Sequence, residues 1–275
     1  MSASFVFADT LSVGAVACAL TFVVAEWRRV PRSLLVLGPW LLIGATASAI
    51  VMSEFTQHFE SMLRLIEKSG ATAEQTDLVR GGLRRLAVSS VLQELGAIAL
   101  ALAGLQACRR LGLRGLPWTR RLVRERDPAG PGPIRWLGET ATLIAGAVAW
   151  SCLCIRLSGR APEQASILAS LGSSEFRALT SIVLAPVFEE LGLRLGVQGL
   201  IARMVRSRWS MAAAVVGSAL LWSLLHDSEA RLLQFFPVGL ALGWLQLRHG
   251  TEACIVAHAG FNASMLGLAP ILWPA

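Results

Sequence analysis

Residues 184–200 read LAPVFEELGLRLGVQGL. Two adjacent carboxylates, Glu189 and Glu190, and one guanidinium, Arg194, stand inside an apolar run of about Phe176–Met204. A charge near the centre of a bilayer costs about 2.5–3.5 kcal/mol on insertion scales, so such residues face a partner or a water-filled cavity. Glu190 and Arg194 are four apart, share a helix face and can pair. Glu189 points about 100° away from Glu190. One carboxylate can then be fixed by the arginine while the other faces a cavity. Pro186 removes a backbone donor just before the glutamates, which predicts a kink there.

The rest of the chain fits this membrane reading. Of 275 residues, 54% are hydrophobic and 16% charged, against about 25% charged in soluble domains; the mean hydropathy is +0.58. The apolar residues fall into eight segments, approximately Leu11–Trp27, Ser33–Met52, Leu86–Cys108, Trp136–Leu157, Phe176–Met204, Trp209–His226, Leu232–Leu247 and Ala253–Trp273. Most approach the ~20 residues that cross a hydrocarbon core. Trp27, Trp136, Trp209 and Trp273 stand at segment ends, where indole rings favour the interface. The expected fold class is all-α, a polytopic membrane bundle of about eight transmembrane helices.

The net charge of +7 is almost wholly arginine, Lys68 being the one lysine. These arginines sit between apolar runs, where they read as topology signals and lipid-headgroup contacts, not as a nucleic-acid surface. The larger share follows the first, third, fifth and seventh segments, which places both termini outside the cytoplasm. The multi-pass chain is expected in a cell membrane, a bacterial inner membrane by its arginine-rich, tyrosine-free composition. The five cysteines form no CxxC pattern, so neither a zinc ribbon nor a disulfide framework is indicated.

Residues 1–175 are expected to hold the N-terminal transmembrane helices, a surface segment and a basic loop. The surface segment, Ser53–Arg85, has the apolar rhythm Phe55, Phe59, Met62, Leu63, Ile66 of an amphipathic helix lying on the membrane. The loop after the third segment carries Arg109, Arg110, Arg114, Arg120 and Arg121 and ends near a turn-rich GPGP hinge at 130–133. Residues 176–275 are expected to form a catalytic core.

Two further segments of that core carry polar groups. The sixth ends in WSLLH (Trp222, His226), and the eighth contains HAGFN (His258, Asn262). The pairs Gly192/Gly196 and Gly239/Gly243 are spaced as in GxxxG, which lets membrane helices approach closely. Each motif alone has an ordinary structural explanation: a Glu–Arg pair as interhelical glue, an interfacial His226, an interhelical hydrogen bond from Asn262. His58 and His249 lie outside the apolar runs and are expected to be solvated. Glu94 and Glu139 have no identifiable partner, and Gln93 beside Glu94 hints at a polar pocket. The ordered set EExxxR, WxxxH and HxxxN is more specific than any of its parts.

That set resembles the CAAX-processing and bacteriocin-processing intramembrane glutamate proteases, which include the type II CAAX prenyl endopeptidases. The family pattern is a double glutamate with arginine four residues on, then phenylalanine-xxx-histidine, then histidine-xxx-asparagine. Glu189, Glu190 and Arg194 match the first part; His226 matches the second, with Trp222 in place of phenylalanine; His258 and Asn262 match the third. The resemblance spans about Phe176–Met265. It implies an intramembrane endopeptidase, with Glu189, His226, His258 and Asn262 catalytic and with Glu190, Arg194 and Trp222 supporting. Glu189 is the expected base, since burial brings a carboxyl nearer the operating pH. His226 would hold the water, and His258 and Asn262 would stabilise an oxyanion. Arg194 could alternatively contact a substrate carboxylate.

The family is often described as metalloproteases, and Glu189, His226 and His258 could bind zinc. No HExxH occurs in the chain, and the expectation is metal-free, without a cofactor. The chain also lacks the GxSG and GxGD motifs of other intramembrane proteases. The implied partners are a membrane-bound protein or peptide substrate and the lipid bilayer. With the active site opening away from the cytoplasm, exported or membrane-anchored substrates fit better than cytosolic prenyl proteins. Drawn on these segments, Glu189 lies near mid-membrane and His226 at an edge, so the sixth helix is expected to continue past His226. An ion-coupled transporter and a noncatalytic immunity or scaffold protein are the alternatives from other functional classes.

Overall fold

The computed structural model describes residues 21, 23, 24, 27–70, 72–122, 133–158, 176, 178–205, 207–226 and 229–272. Most of the first expected segment, hinge residues 130–132 and Trp273 lie outside them. The helices are α1 (Val30–Lys68), α2 (Ala73–Leu111), α3 (Pro117–Leu122), α4 (Pro133–Ser158), α5 (179–204), α6 (Ser210–Leu224), α7 (Glu229–His249) and α8 (Thr251–Leu272). No strand occurs among the described residues. The described residues form an all-helical architecture. Three of its described helices are long and apolar enough to cross a membrane, over Val30–Lys68, Val88–Leu111 and Arg135–Leu157; Ser210–Leu224 is apolar but shorter. The expected count of eight is not reached on these criteria. Leu35, Leu42, Leu92, Leu95, Leu153 and Leu220 are all exposed, an apolar exterior that suits lipid and would be a liability in water.

The surface segment expected over Ser53–Arg85 is not a separate element. No proline or glycine interrupts the chain between Met52 and Ser69, so α1 runs on unbroken to Lys68. Its 39 residues rise about 58 Å, well beyond a hydrocarbon core of roughly 30 Å. The turn comes at Gly70, at φ +82°, a left-handed conformation that suits glycine. Thr72 then starts α2 with a reciprocal cap: its Oγ1 accepts from the Gln75 amide at 3.3 Å, and the Gln75 side chain accepts from the Thr72 amide at 3.0 Å. The segment therefore forms the ends of a long helical hairpin.

Helix α5 lies at the centre. It is wound as π-helix over Leu179–Leu184, α-helix over Ala185–Glu189, π-helix over Glu190–Gln198 and α-helix over Gly199–Met204. Leu191 and Leu195 pack against Val36, Leu37, Leu102 and Leu105 of α1 and α2. Leu193 packs on the other side, in a cluster with Trp222, Leu242, Ala257 and Phe261 of α6, α7 and α8. A helix buried on all sides needs close neighbours, and the glycines provide them. A Cβ on Gly104 of α2 would lie 1.9 Å from the Leu195 carbonyl oxygen, and one on Gly196 would lie 2.7 Å from Leu100 Cβ. Across α6 and α7, a Cβ on Gly239 would meet Ala219 Cα at 3.1 Å, and one on Gly243 would meet Val215 at 3.0 Å. Both glycine pairs thus sit at close helix contacts.

Candidate active site

The charged pair comes first, because its burial has to be compensated. Glu190 and Arg194 are fully buried, and Arg194 Nε donates to Glu190 Oε2 at 3.2 Å. Glu190 Oε1 accepts from His258 Nδ1, on α8, at 2.8 Å. Arg194 Nη1 donates to Ser218 Oγ of α6 at 3.2 Å, and Ser218 donates to Gln198 Oε1 at 3.2 Å. Gln198 Nε2 in turn donates to Gln246 Oε1 at 2.6 Å and to the Gly243 carbonyl at 3.0 Å. One buried chain of hydrogen bonds therefore ties α5, α6, α7 and α8 together. Arg194 Nη2 is buried in this network without a hydrogen-bond partner.

Glu189 has different neighbours. It keeps partial exposure, and its Oε2 accepts the indole N–H of Trp222 at 2.6 Å. The Trp222 ring is itself buried and meets His226 and His258 edge-on, at centroid distances of 5.0 and 5.5 Å. Phe235 of α7 closes the group, 4.5 Å from His226. Helix α6 does not continue past His226, as the segment reading expected; it ends at Leu224, with His226 in the following turn. His226 Nδ1 reaches back to the Trp222 carbonyl at 2.8 Å, which satisfies one of the acceptors that every helix C-terminus leaves open. A carbonyl only accepts, so Nδ1 carries the proton and Nε2 is the basic nitrogen of the neutral ring. The fold-back also resolves the depth mismatch, because the indole one turn earlier touches both His226 and Glu189.

Asn262 is engaged through Pro186. In a π-turn the carbonyl of residue i accepts from residue i+5, and the Ala185 amide accordingly bonds to the Thr180 carbonyl. The next such pair is Ser181 with Pro186, which has no N–H. Asn262 Nδ2 donates to that Ser181 carbonyl at 2.7 Å. One of its two amide hydrogens is thereby committed to helix repair, leaving the second for other work.

Glu189 is held by Trp222 and His258 by Glu190, and among the described residues no three His, Cys, Asp or Glu side chains converge as metal ligands. Several polar residues read as unpartnered or solvated have partners. Ser48 donates to Glu94 at 2.7 Å, while Gln93 beside it is exposed. Glu139 accepts from Arg135, Arg248 and His249 at 2.8–2.9 Å, and His249 is buried, not solvated. Glu252, fully buried at the start of α8, accepts the Trp118 and Thr119 amides at 2.6 and 2.7 Å.

The sequence reading passed over Ser218, Gln198 and Gln246. Gln198 carried a usable signal, since it stands four residues beyond Arg194 as Arg194 stands beyond Glu190.

The comparisons with known proteins bear on this geometry. The family described as type II CAAX prenyl endopeptidase, Rce1-like, matches residues 172–264, and a domain of that protease family is found there. The match includes all three motifs and every residue of the cluster around Trp222. No curated protein and no solved structure matches the chain.

Proposed function

We propose that the chain is a multi-pass intramembrane endopeptidase that hydrolyses a peptide bond of a membrane-associated or exported protein through water activated by Glu189. The observation that carries this reading is the contrast between two adjacent carboxylates. Glu190 is consumed by Arg194 and His258, whereas Glu189 stays partly exposed against Trp222, whose ring meets His226. Glu189 takes a proton from water, and the resulting hydroxide forms a bond to the scissile carbonyl carbon. The carbonyl becomes an oxyanion, facing donors from His258 and the second Asn262 N–H. With Nδ1–H on Glu190, a donor at His258 Nε2 requires the doubly protonated ring, whose charge the Glu190 carboxylate offsets. Collapse breaks the C–N bond, and the proton held by Glu189 passes to the leaving amine, directly or through His226 Nε2. No metal or cofactor enters this scheme.

The same reading takes residues 176–275 as the catalytic core and residues 1–175 as the scaffold packed on α5. It keeps about eight membrane spans in a bacterial inner membrane, with the site opening away from the cytoplasm. Exported or membrane-anchored substrates follow from that orientation.

The test is cleavage of candidate peptides by the purified chain in lipid nanodiscs, with protein termini compared between cells expressing the wild type and Glu189→Ala. Glu189→Ala and His226→Ala should each abolish cleavage while the protein remains inserted and folded. Cleavage that survives both changes would remove the proposal.

A further inference from the structure

Trp222 occupies a position where the resembling enzymes usually carry phenylalanine, and the difference between the two side chains is a hydrogen-bond donor. The indole N–H is 2.6 Å from Glu189 Oε2, the short distance of a charge-assisted bond. Among the described residues no hydrogen-bond partner is found for Oε1. The indole is buried and braced on several sides: His226 and His258 edge-on, Phe235 at 5.4 Å and the Arg194 guanidinium at 5.4 Å from the ring centroid.

We propose that Trp222 is a positioning residue for the general base, tethering Oε2 through its N–H so that Oε1 alone presents to the attacking water. This deepens the proposed function and rests on Glu189 being the base. A glutamate side chain has three rotatable bonds, and a loosely held carboxylate samples poses in which neither oxygen meets the water. Misplacement of a reacting group by about 1 Å can cost 10²-fold in rate. The indole suits the task because it donates and never accepts. It cannot take the proton that Glu189 receives, and it remains a donor to Oε2 throughout the turnover. Phenylalanine would keep the aromatic packing and lose the tether.

The test uses the full chain in nanodiscs with a peptide that the wild type cleaves. Two replacements remove the donor: Trp222→Phe, and 3-benzothienylalanine at position 222, which puts sulfur in place of the indole N–H with little change of shape. Each should lower kcat roughly 10- to 100-fold, the effect of losing one hydrogen bond to a charged group, with KM unchanged. The indole N–H marker in the ultraviolet resonance Raman difference spectrum, wild type minus Trp222→Phe, should report a strong hydrogen bond that Glu189→Ala removes. Wild-type kcat with the sulfur isostere would overturn the proposal, as would a loss expressed in KM alone or a marker unmoved by Glu189→Ala. In each of those cases, inactivity of Glu189→Ala leaves the base assignment standing. Full cleavage by Glu189→Ala would defeat that assignment and the tether with it.

Discussion

The bond from Asn262 to Ser181 makes a prediction that separates helix repair from catalysis. Asn262→Ala removes the donor that serves the Ser181 carbonyl. An unsatisfied acceptor costs up to about 1–3 kcal/mol, and this one is part-buried. The carbonyl needs Asn262 only because residue 186 is proline. In Pro186→Ala, residue 186 regains an N–H five positions beyond Ser181, the spacing that the π-turn uses for Thr180 and Ala185. Asn262→Ala should therefore cost up to about 1–3 kcal/mol in the native background and little in the Pro186→Ala background, a coupling within the 0.5–3 kcal/mol range of contacting residues. Equilibrium unfolding of the four proteins of this cycle in one detergent gives the coupling directly. Turnover is the independent readout. If the second amide hydrogen serves the oxyanion, kcat falls in both backgrounds even though stability is restored in one. Equal stability losses in the two backgrounds would refute the pairing argument.

Gly104→Ala would place a Cβ 1.9 Å from the Leu195 carbonyl oxygen, where only separation of α2 from α5 relieves the clash; a loss of about 1–3 kcal/mol is expected. Gly146→Ala on α4, with nothing within 4 Å, should leave the melting temperature unchanged or raise it, and serves as the control in the same thermal scan. Gln198→Leu leaves Gln246 Oε1 without its donor and loosens Ser218 behind Arg194; expected are a stability loss of about 1–3 kcal/mol and a lower kcat, read by unfolding and single-turnover cleavage. Glu252→Ala leaves the Trp118 and Thr119 amides without their acceptor, so limited proteolysis should cut near residues 112–122 faster than in the wild type.

The parts legible in the sequence are those that one segment can signal by itself. Apolar runs marked the helices of α1, α2, α4, α6, α7 and α8, and the four-residue spacing of Glu190 and Arg194 gave their ion pair directly. The glycines of both GxxxG pairs signalled close approach, although their principal neighbours, Ala97, Leu100 and Gly104 on one side and Ala219 and Val215 on the other, belong to other helices. Most of what escaped needed tertiary contact. Two of the three partners of Glu139, Arg248 and His249, lie more than a hundred residues away; the third, Arg135, stands four residues before it, a local signal that the sequence reading passed over. The boundary of α1 was misplaced because mixed charge after Met52 signals departure from lipid, not the end of a helix; helices end at turn residues, and the first is Gly70.

The two glutamates show how a local pattern acquires chemistry only through its neighbours. In the sequence Glu189 and Glu190 are interchangeable in type and differ by one step of rotation. Glu190 meets a guanidinium one turn ahead and an imidazole from α8, and it is fully buried. Glu189 meets a single neutral donor, the Trp222 indole, and stays partly exposed. Both oxygens of Glu190 are committed to partners, whereas Glu189 is held through one oxygen by one neutral N–H. The proposed roles, base for Glu189 and anchor for Glu190, rest on the partners each one finds, and exchanging those partners would exchange the roles.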